Sequence, residues 1–209
     1  MARNRLLAIV AGVAIVVAAC PAMAQDDGHS PETVRFASAD GKTDLVGYVF
    51  RRPDAKAPMP GVVMMHGRGG PYSERAKGTF DATTLSLRHK AWGRLWAEAG
   101  YVAILVDGFG PRGYPKGFPR GSYDSRPAEL NEVTIRPLDA YGALAYLRSR
   151  GDVIADRIGL HGWSNGGSAA LSSIADTAPG IASPTPATGF RAALVFYPAC
   201  GLKGHFDER

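Results

Sequence analysis

Arg157-Ile158-Gly159-Leu160-His161-Gly162-Trp163-Ser164-Asn165-Gly166-Gly167-Ser168-Ala169-Ala170-Leu171 decides how this chain folds. Arg157–Leu160 reads as a short buried strand, and Ser168–Ala175 as the first turns of a helix. Between them stands G-x-S-x-G, centred on Ser164. That pentapeptide marks a sharp strand-to-helix turn that lifts a serine oxygen clear of a sheet edge. Gly162 and Gly166 flank Ser164 where the chain doubles back, so a side chain at either would strike the opposite arm. Asn165 starts the helix, and its main-chain N–H would face charge developing on an acyl oxygen. The pentapeptide alone is a weak signal. A readable strand before it and helix after it strengthen it.

Outward from the turn, the chain alternates strands and helices. Thr33–Ala37 and Asp44–Phe50 alternate apolar and polar residues across a Ser38–Lys42 turn, the pattern of an antiparallel hairpin. A Pro-rich link from Pro53 to Pro60 leads to Gly61–Gly67, a continuous apolar run suited to a strand covered on both faces. A glycine-rich loop, Arg68–Tyr72, follows. Leu85–Ala99 places Trp92, Leu95, Trp96 and Ala99 at helical spacing, with Gly100 as C-cap. Tyr101–Asp107 is a second buried strand, and 108–127 a long aperiodic loop. Glu132–Arg148 reads as a helix with Leu138, Tyr141 and Ala145 on one face, closed by Gly151. After the Ser164 turn, Thr177–Thr188 is loop, and Arg191–Ala199 a last buried strand. This order predicts an α/β architecture: a mostly parallel sheet with right-handed crossovers and an N-terminal antiparallel hairpin. There is no internal repeat.

The 209 residues suffice for one domain, and 45% hydrophobic with 21% charged residues is the balance of a soluble globular protein. Residues 1–24 read as a signal peptide. Arg3 and Arg5 precede an apolar run from Leu6 to Ala19, and Ala22-Met23-Ala24 supplies a cleavage site before Gln25. A membrane anchor is the weaker reading, because a span needs about 20 apolar residues. Val17-Ala18-Ala19-Cys20 also resembles a bacterial lipobox, in which Cys20 would be lipidated. The well-formed Ala-x-Ala site favours cleavage. Either way the protein is exported, periplasmic or extracellular. Residues 25–32 form a polar, disordered leader, and 33–209 a partial catalytic domain. Removing Arg3 and Arg5 takes the net charge from +5 to +3, without a basic stripe that would suit nucleic acid. Cys200 is then the single remaining cysteine, best read as a buried small hydrophobe.

In an open parallel sheet, ligands bind beyond the carboxyl ends of the strands. Ser164, His66–Gly70 and Asp107–Gly113 all follow such ends. The loop after the early strand can offer a second oxyanion N–H, from Arg68 or Gly67, with Arg68 preferred. Only main-chain atoms are needed there, leaving the Arg68 side chain for a substrate carboxylate.

On three segments, the His66-Gly67 turn, Asp107-Gly108-Phe109-Gly110-Pro111-Arg112-Gly113 and Gly162-Trp163-Ser164-Asn165-Gly166-Gly167, the chain resembles the dienelactone hydrolase family of the α/β-hydrolase fold. The resemblance covers roughly residues 33–200. It implies a serine hydrolase of carboxylic esters or lactones, with Ser164 as nucleophile and Asn165 and Arg68 as oxyanion donors. The best-known members carry cysteine where this chain has Ser164, which moves the expectation toward general serine esterases. No metal or organic cofactor is implied, because no His/Cys/Asp cluster has ligand spacing. The implied partner is a small ester or lactone, with membrane contact only through a lipidated Cys20.

The fold orders its triad as nucleophile, acid, histidine. After Ser164 the chain holds only His205, with Asp207 behind it, in a short tail that reads as solvated. His66, His89 and His161 read as loop, helix and interior residues, and His29 as leader. The expectation is therefore a hydrolase domain incomplete at its C-terminus, lacking its acid and histidine, as a truncated reading frame would produce. An inactive truncated or pseudoenzyme domain is the alternative, and a structural envelope lipoprotein a weaker third.

Overall fold

The computed structural model describes residues 30–175, 177–179 and 188–199. The expected signal peptide with Cys20, most of the expected leader with Gln25 and His29, most of the expected 177–188 loop, and the expected tail with Cys200, His205 and Asp207 lie outside the described residues.

Among the described residues six strands form one sheet: β1 (Glu32–Ala37), β2 (Asp44–Phe50), β3 (Met59–Met65), β4 (Val102–Asp107), β5 (Val153–Trp163) and β6 (Ala193–Phe196). Their order is β1-β2-β4-β3-β5-β6. β1 and β2 pair antiparallel, and β2 runs antiparallel to β4. The β4-β3, β3-β5 and β5-β6 pairs are parallel. The expected hairpin leading into a mostly parallel sheet is thus present. Helix α1 (Leu87–Glu98) joins β3 to β4, α2 (Arg136–Ser149) joins β4 to β5, and α3 (Asn165–Ile174) joins β5 to β6.

The pleat sorts side chains to two cores. Val63, Met65, Ile104 and Val106 point to one face, with Leu144 and Leu147 of α2 and Ala169 and Ala170 of α3. Val62, Met64, Ala103 and Leu105 point to the other, with Ala97, Trp92 and Trp96 of α1. Burial on both faces explains why β3 and β4 read as unbroken apolar runs. No described helix is long and apolar enough to cross a membrane.

Several boundaries differ from expectation. β5 extends over Val153–Trp163 rather than four residues, and β6 shrinks to Ala193–Phe196. α2 begins at Arg136, not Glu132. Asn131 Oδ1 accepts from the N–H groups of Val133 and Thr134 and holds 132–135 in a turn, while Pro137 takes a first-turn position where its missing N–H costs nothing. On α2 Tyr141, Leu144 and Leu147 are buried as read, together with Asp139, Ala140 and Ala143, whereas Ala145 is exposed. On α1 the buried residues are His89, Gly93 and Ala97, whereas Leu95 is 51% exposed.

Candidate active site

β5 delivers the chain to Ser164 at φ 52°, ψ −121°, a conformation L-residues rarely adopt. The glycines allow it. A Cβ on Gly162 would stand 2.1 Å from the Gly166 carbonyl oxygen, and one on Gly166 would stand 2.1 Å from that of Met65. Both obstacles are main chain, so no rotamer change would relieve them. The Ser164 N–H donates to Phe196 O at 3.0 Å, pinning the kink to β6, and Ser168 N–H returns to Ser164 O at 2.9 Å. Ser164 is half-buried at the N-terminus of α3.

Asn165 is the first residue of α3, so its N–H has no partner within the helix. The loop after β3 comes to the same place: a Cβ on Gly67 would lie 3.5 Å from Ser164 Cβ and 3.9 Å from its Oγ. The loop is braced by Gly70 N–H to Gly67 O at 3.1 Å and by Phe118 N–H to Arg68 O at 2.8 Å. Neither the Arg68 nor the Asn165 N–H donates to a main-chain carbonyl among the described residues. Ser164 therefore faces Gly67, the residue before Arg68, and is followed directly by Asn165 at the start of α3. The Arg68 side chain is not free, however. Its guanidinium donates to Phe118 O on the long loop.

The three described histidines are occupied elsewhere. His66 is fully buried; its Nδ1 meets Gly67 O at 2.7 Å and its Nε2 accepts from Gly108 N–H at 3.3 Å. Burial, and then the nearby Arg136 charge, holds it well below the usual imidazole range. His89 Nδ1 donates to Pro71 O at 2.8 Å, and burial lowers this histidine to about 4. His161 accepts from Trp96 Nε1 at 3.1 Å and is likewise lowered by burial to about 4. It is not the fully satisfied interior residue the sequence suggests, because its buried Nε2 has no partner among the described residues. None of the three hydrogen-bonds Ser164.

Asp107, at the end of β4, does structural work. Its Oδ1 accepts from the N–H groups of Phe109 and Gly110, and its Oδ2 from Tyr72 OH at 2.8 Å, whose oxygen lies 2.6 Å from Tyr48 OH. Beside it, Arg112 grips Asp139 of α2 with two hydrogen bonds of 2.9 and 2.7 Å. Sequence reading passed over Arg136. This fully buried residue donates from Nη1 to His66 O and to Asn165 Oδ1, both at 2.9 Å. An arginine at the first position of the helix is the only trace it leaves in the sequence.

A parallel sheet with an antiparallel entry and a serine kinked between β5 and α3 is the α/β-hydrolase fold, and solved structures bear this out. A dienelactone hydrolase-like promiscuous phosphotriesterase, P91, from metagenomic libraries superposes with a TM-score of 0.51 at 20% identity, over 70% of this chain and 54% of that one. In sequence, the quorum-quenching protein AidA of Acinetobacter baumannii is 27% identical over 178 residues, 84% of this chain and 50% of AidA. YtaP of Bacillus subtilis, which bears a hydrolase name, is 29% identical over 136 residues, 61% of this chain and 43% of YtaP. The chain thus spans about half the length of these curated relatives. No protein-family model matches it. Dienelactone hydrolase-like proteins are nonetheless among its structural neighbours, in keeping with the resemblance carried by the three segments.

Proposed function

We propose that the protein is an exported serine hydrolase of carboxylic esters or lactones. The observation that carries this reading is Ser164 held at a strained kink, facing the loop of Gly67 and Arg68 and opening the helix that begins at Asn165. Ser164 Oγ attacks the acyl carbon, and the carbonyl π electrons move to oxygen. The N–H groups of Arg68 and Asn165 hold that oxyanion in a preorganised site, where a single such donor is worth roughly 10²–10³ in kcat. Collapse expels the alkoxide, which stays tethered to the acyl group in a lactone. Water then cleaves the acyl-serine ester.

Oγ must lose a proton during attack, and a serine without a base is a poor nucleophile at neutral pH. Among the described residues no imidazole or carboxylate hydrogen-bonds it. We therefore propose that the acid and histidine come from outside the described residues. The same observation favours the second reading, an inactive domain.

The two readings separate in one experiment. A fluorophosphonate and a p-nitrophenyl ester are offered to the 209-residue chain and to the product of the gene read on past the Arg209 codon. The hydrolase reading expects little labelling of the first, stoichiometric labelling of Ser164 in the second, and loss of both signals in Ser164→Ala. Equal turnover by Ser164→Ala would sink it, and silence from the longer product would favour the inactive domain. Export is checked by mass spectrometry of the mature N-terminus: Gln25 for a cleaved secretory signal, a lipidated Cys20 for a lipoprotein.

A further inference from the structure

The β3-β5 ladder ends at Met65 and Gly162. Beyond it the two chains diverge, one into the loop that carries the Arg68 N–H, the other into the kink that carries the Asn165 N–H. An oxyanion site needs those two amides at a fixed separation, and the sheet no longer sets it.

Arg136 spans the gap. It lies beneath the kink at the first position of α2, with no exposed surface. One nitrogen, Nη1, uses both its hydrogens: one to His66 O, two residues before Arg68, the other to the Asn165 side chain. Among the described residues no other side chain hydrogen-bonds both segments. Its guanidinium carbon sits 4.9 Å from the centre of the Phe109 ring, which fixes the plane from one side. Nε and Nη2, by contrast, have no partner among the described residues, and neither do Glu132 Oε1 and Asn165 Nδ2. Leaving buried polar atoms unpaired is expensive, so an apolar side chain would fill this space at lower cost if filling were all that was needed.

We infer that Arg136 is a positioning residue that sets the spacing of the two oxyanion donors by tying the His66 carbonyl to the Asn165 side chain. The inference rests on the reading of Ser164 as a nucleophile for its catalytic consequence, but not for the tether itself. Lysine is the informative replacement. Its ammonium keeps the positive charge near Asp139 and Glu132 but falls about one bond short of the Nη1 position, and it lacks the planar fork.

Two measurements test this. The first needs no activity. In the 209-residue chain, Asn165→Ala is made in the native and Arg136→Lys backgrounds, and the Gly67 and Arg68 amide resonances are followed by ¹⁵N–¹H NMR. The tether predicts that Asn165→Ala moves both resonances in the native background and moves them much less in the Arg136→Lys background. Equal shifts in the two backgrounds, or none, would overturn it. The second uses the longer gene product. Arg136→Lys should keep its KM while kcat falls about tenfold to a hundredfold, the range expected when reacting groups are misplaced by about 1 Å. An unchanged kcat would refute the positioning role. If the native longer product hydrolyses nothing, the hydrolase reading fails, and the NMR cycle still decides the tether.

Discussion

Ser164 holds φ 52° against the preference of its own Cβ, a penalty of about 1–3 kcal/mol at such positions. Ser164→Ala keeps that penalty and Ser164→Gly removes it, against about 0.5–1 kcal/mol of extra chain entropy in the unfolded state. The glycine variant should therefore unfold later in urea than the alanine variant, by about 1 kcal/mol. Equal midpoints would mean that the serine is not strained. His89 carries a second residue-scale consequence. Burial lowers it to about 4, while the unfolded chain titrates near 6.5. Above about pH 6.5 neither state is protonated, and the stabilising contribution is whole. As pH falls toward 4 the unfolded chain binds a proton that the folded one refuses, and the contribution is lost. His66 and His161 act in the same direction, whereas Asp107 and Asp139, raised by burial, act against it. His89→Gln should remove about 2 kcal/mol of the stability difference between about pH 7 and pH 5, read from urea midpoints at the two pH values.

Between elements, the tie to examine is Arg112–Asp139, which fastens the turn after β4 to α2. Both side chains are nearly inaccessible, at 9% and 0% exposed. Arg112→Met strands a buried carboxylate and should cost about 3–5 kcal/mol in chemical unfolding. Arg112→Met with Asp139→Asn should recover part of that loss, because no unpaired charge remains at the pair; no recovery would place the cost in packing instead. These elements were unequally legible in the sequence. The kink was readable because Gly162 and Gly166 answer to main-chain collisions that only glycine avoids. The start of α2 was misjudged because Asn131 sets the boundary through its side-chain hydrogen bonds and Pro137 through its missing N–H, neither of which apolar spacing reports. On α1, Trp92 and Trp96 pack against the core as read, but Leu95 was misjudged because hydropathy favours it, whereas the helix approaches β2 through Gly93, where a Cβ would stand 2.4 Å from the Phe50 ring. Arg136 escaped notice because its role depends on two acceptors, at His66 and Asn165, that only the folded chain brings together.

Across the whole molecule, protection should fall from the centre of the sheet to its edges. β3 and β4 are paired on both sides and covered on both faces, and every residue of β4 is buried. Their amides should exchange only through global unfolding. β6 has one neighbour among the described strands, no fully buried residue, and Leu194 39% exposed, and should open locally at a free energy about 2–4 kcal/mol lower. That gradient crosses the site. The Ser164 N–H is bonded to Phe196 O of β6, whereas the loop of Gly67 and Arg68 springs from β3. Ser164 is thus fastened to an edge strand, and the loop of Gly67 and Arg68 to a central one. In native-state hydrogen exchange at low denaturant, the Ser164 amide should exchange together with Val195 and Phe196, and well before Met64 or Leu105. Protection of Ser164 equal to that of Met64 would show that β6 is held as firmly as the centre and that the kink does not depend on it.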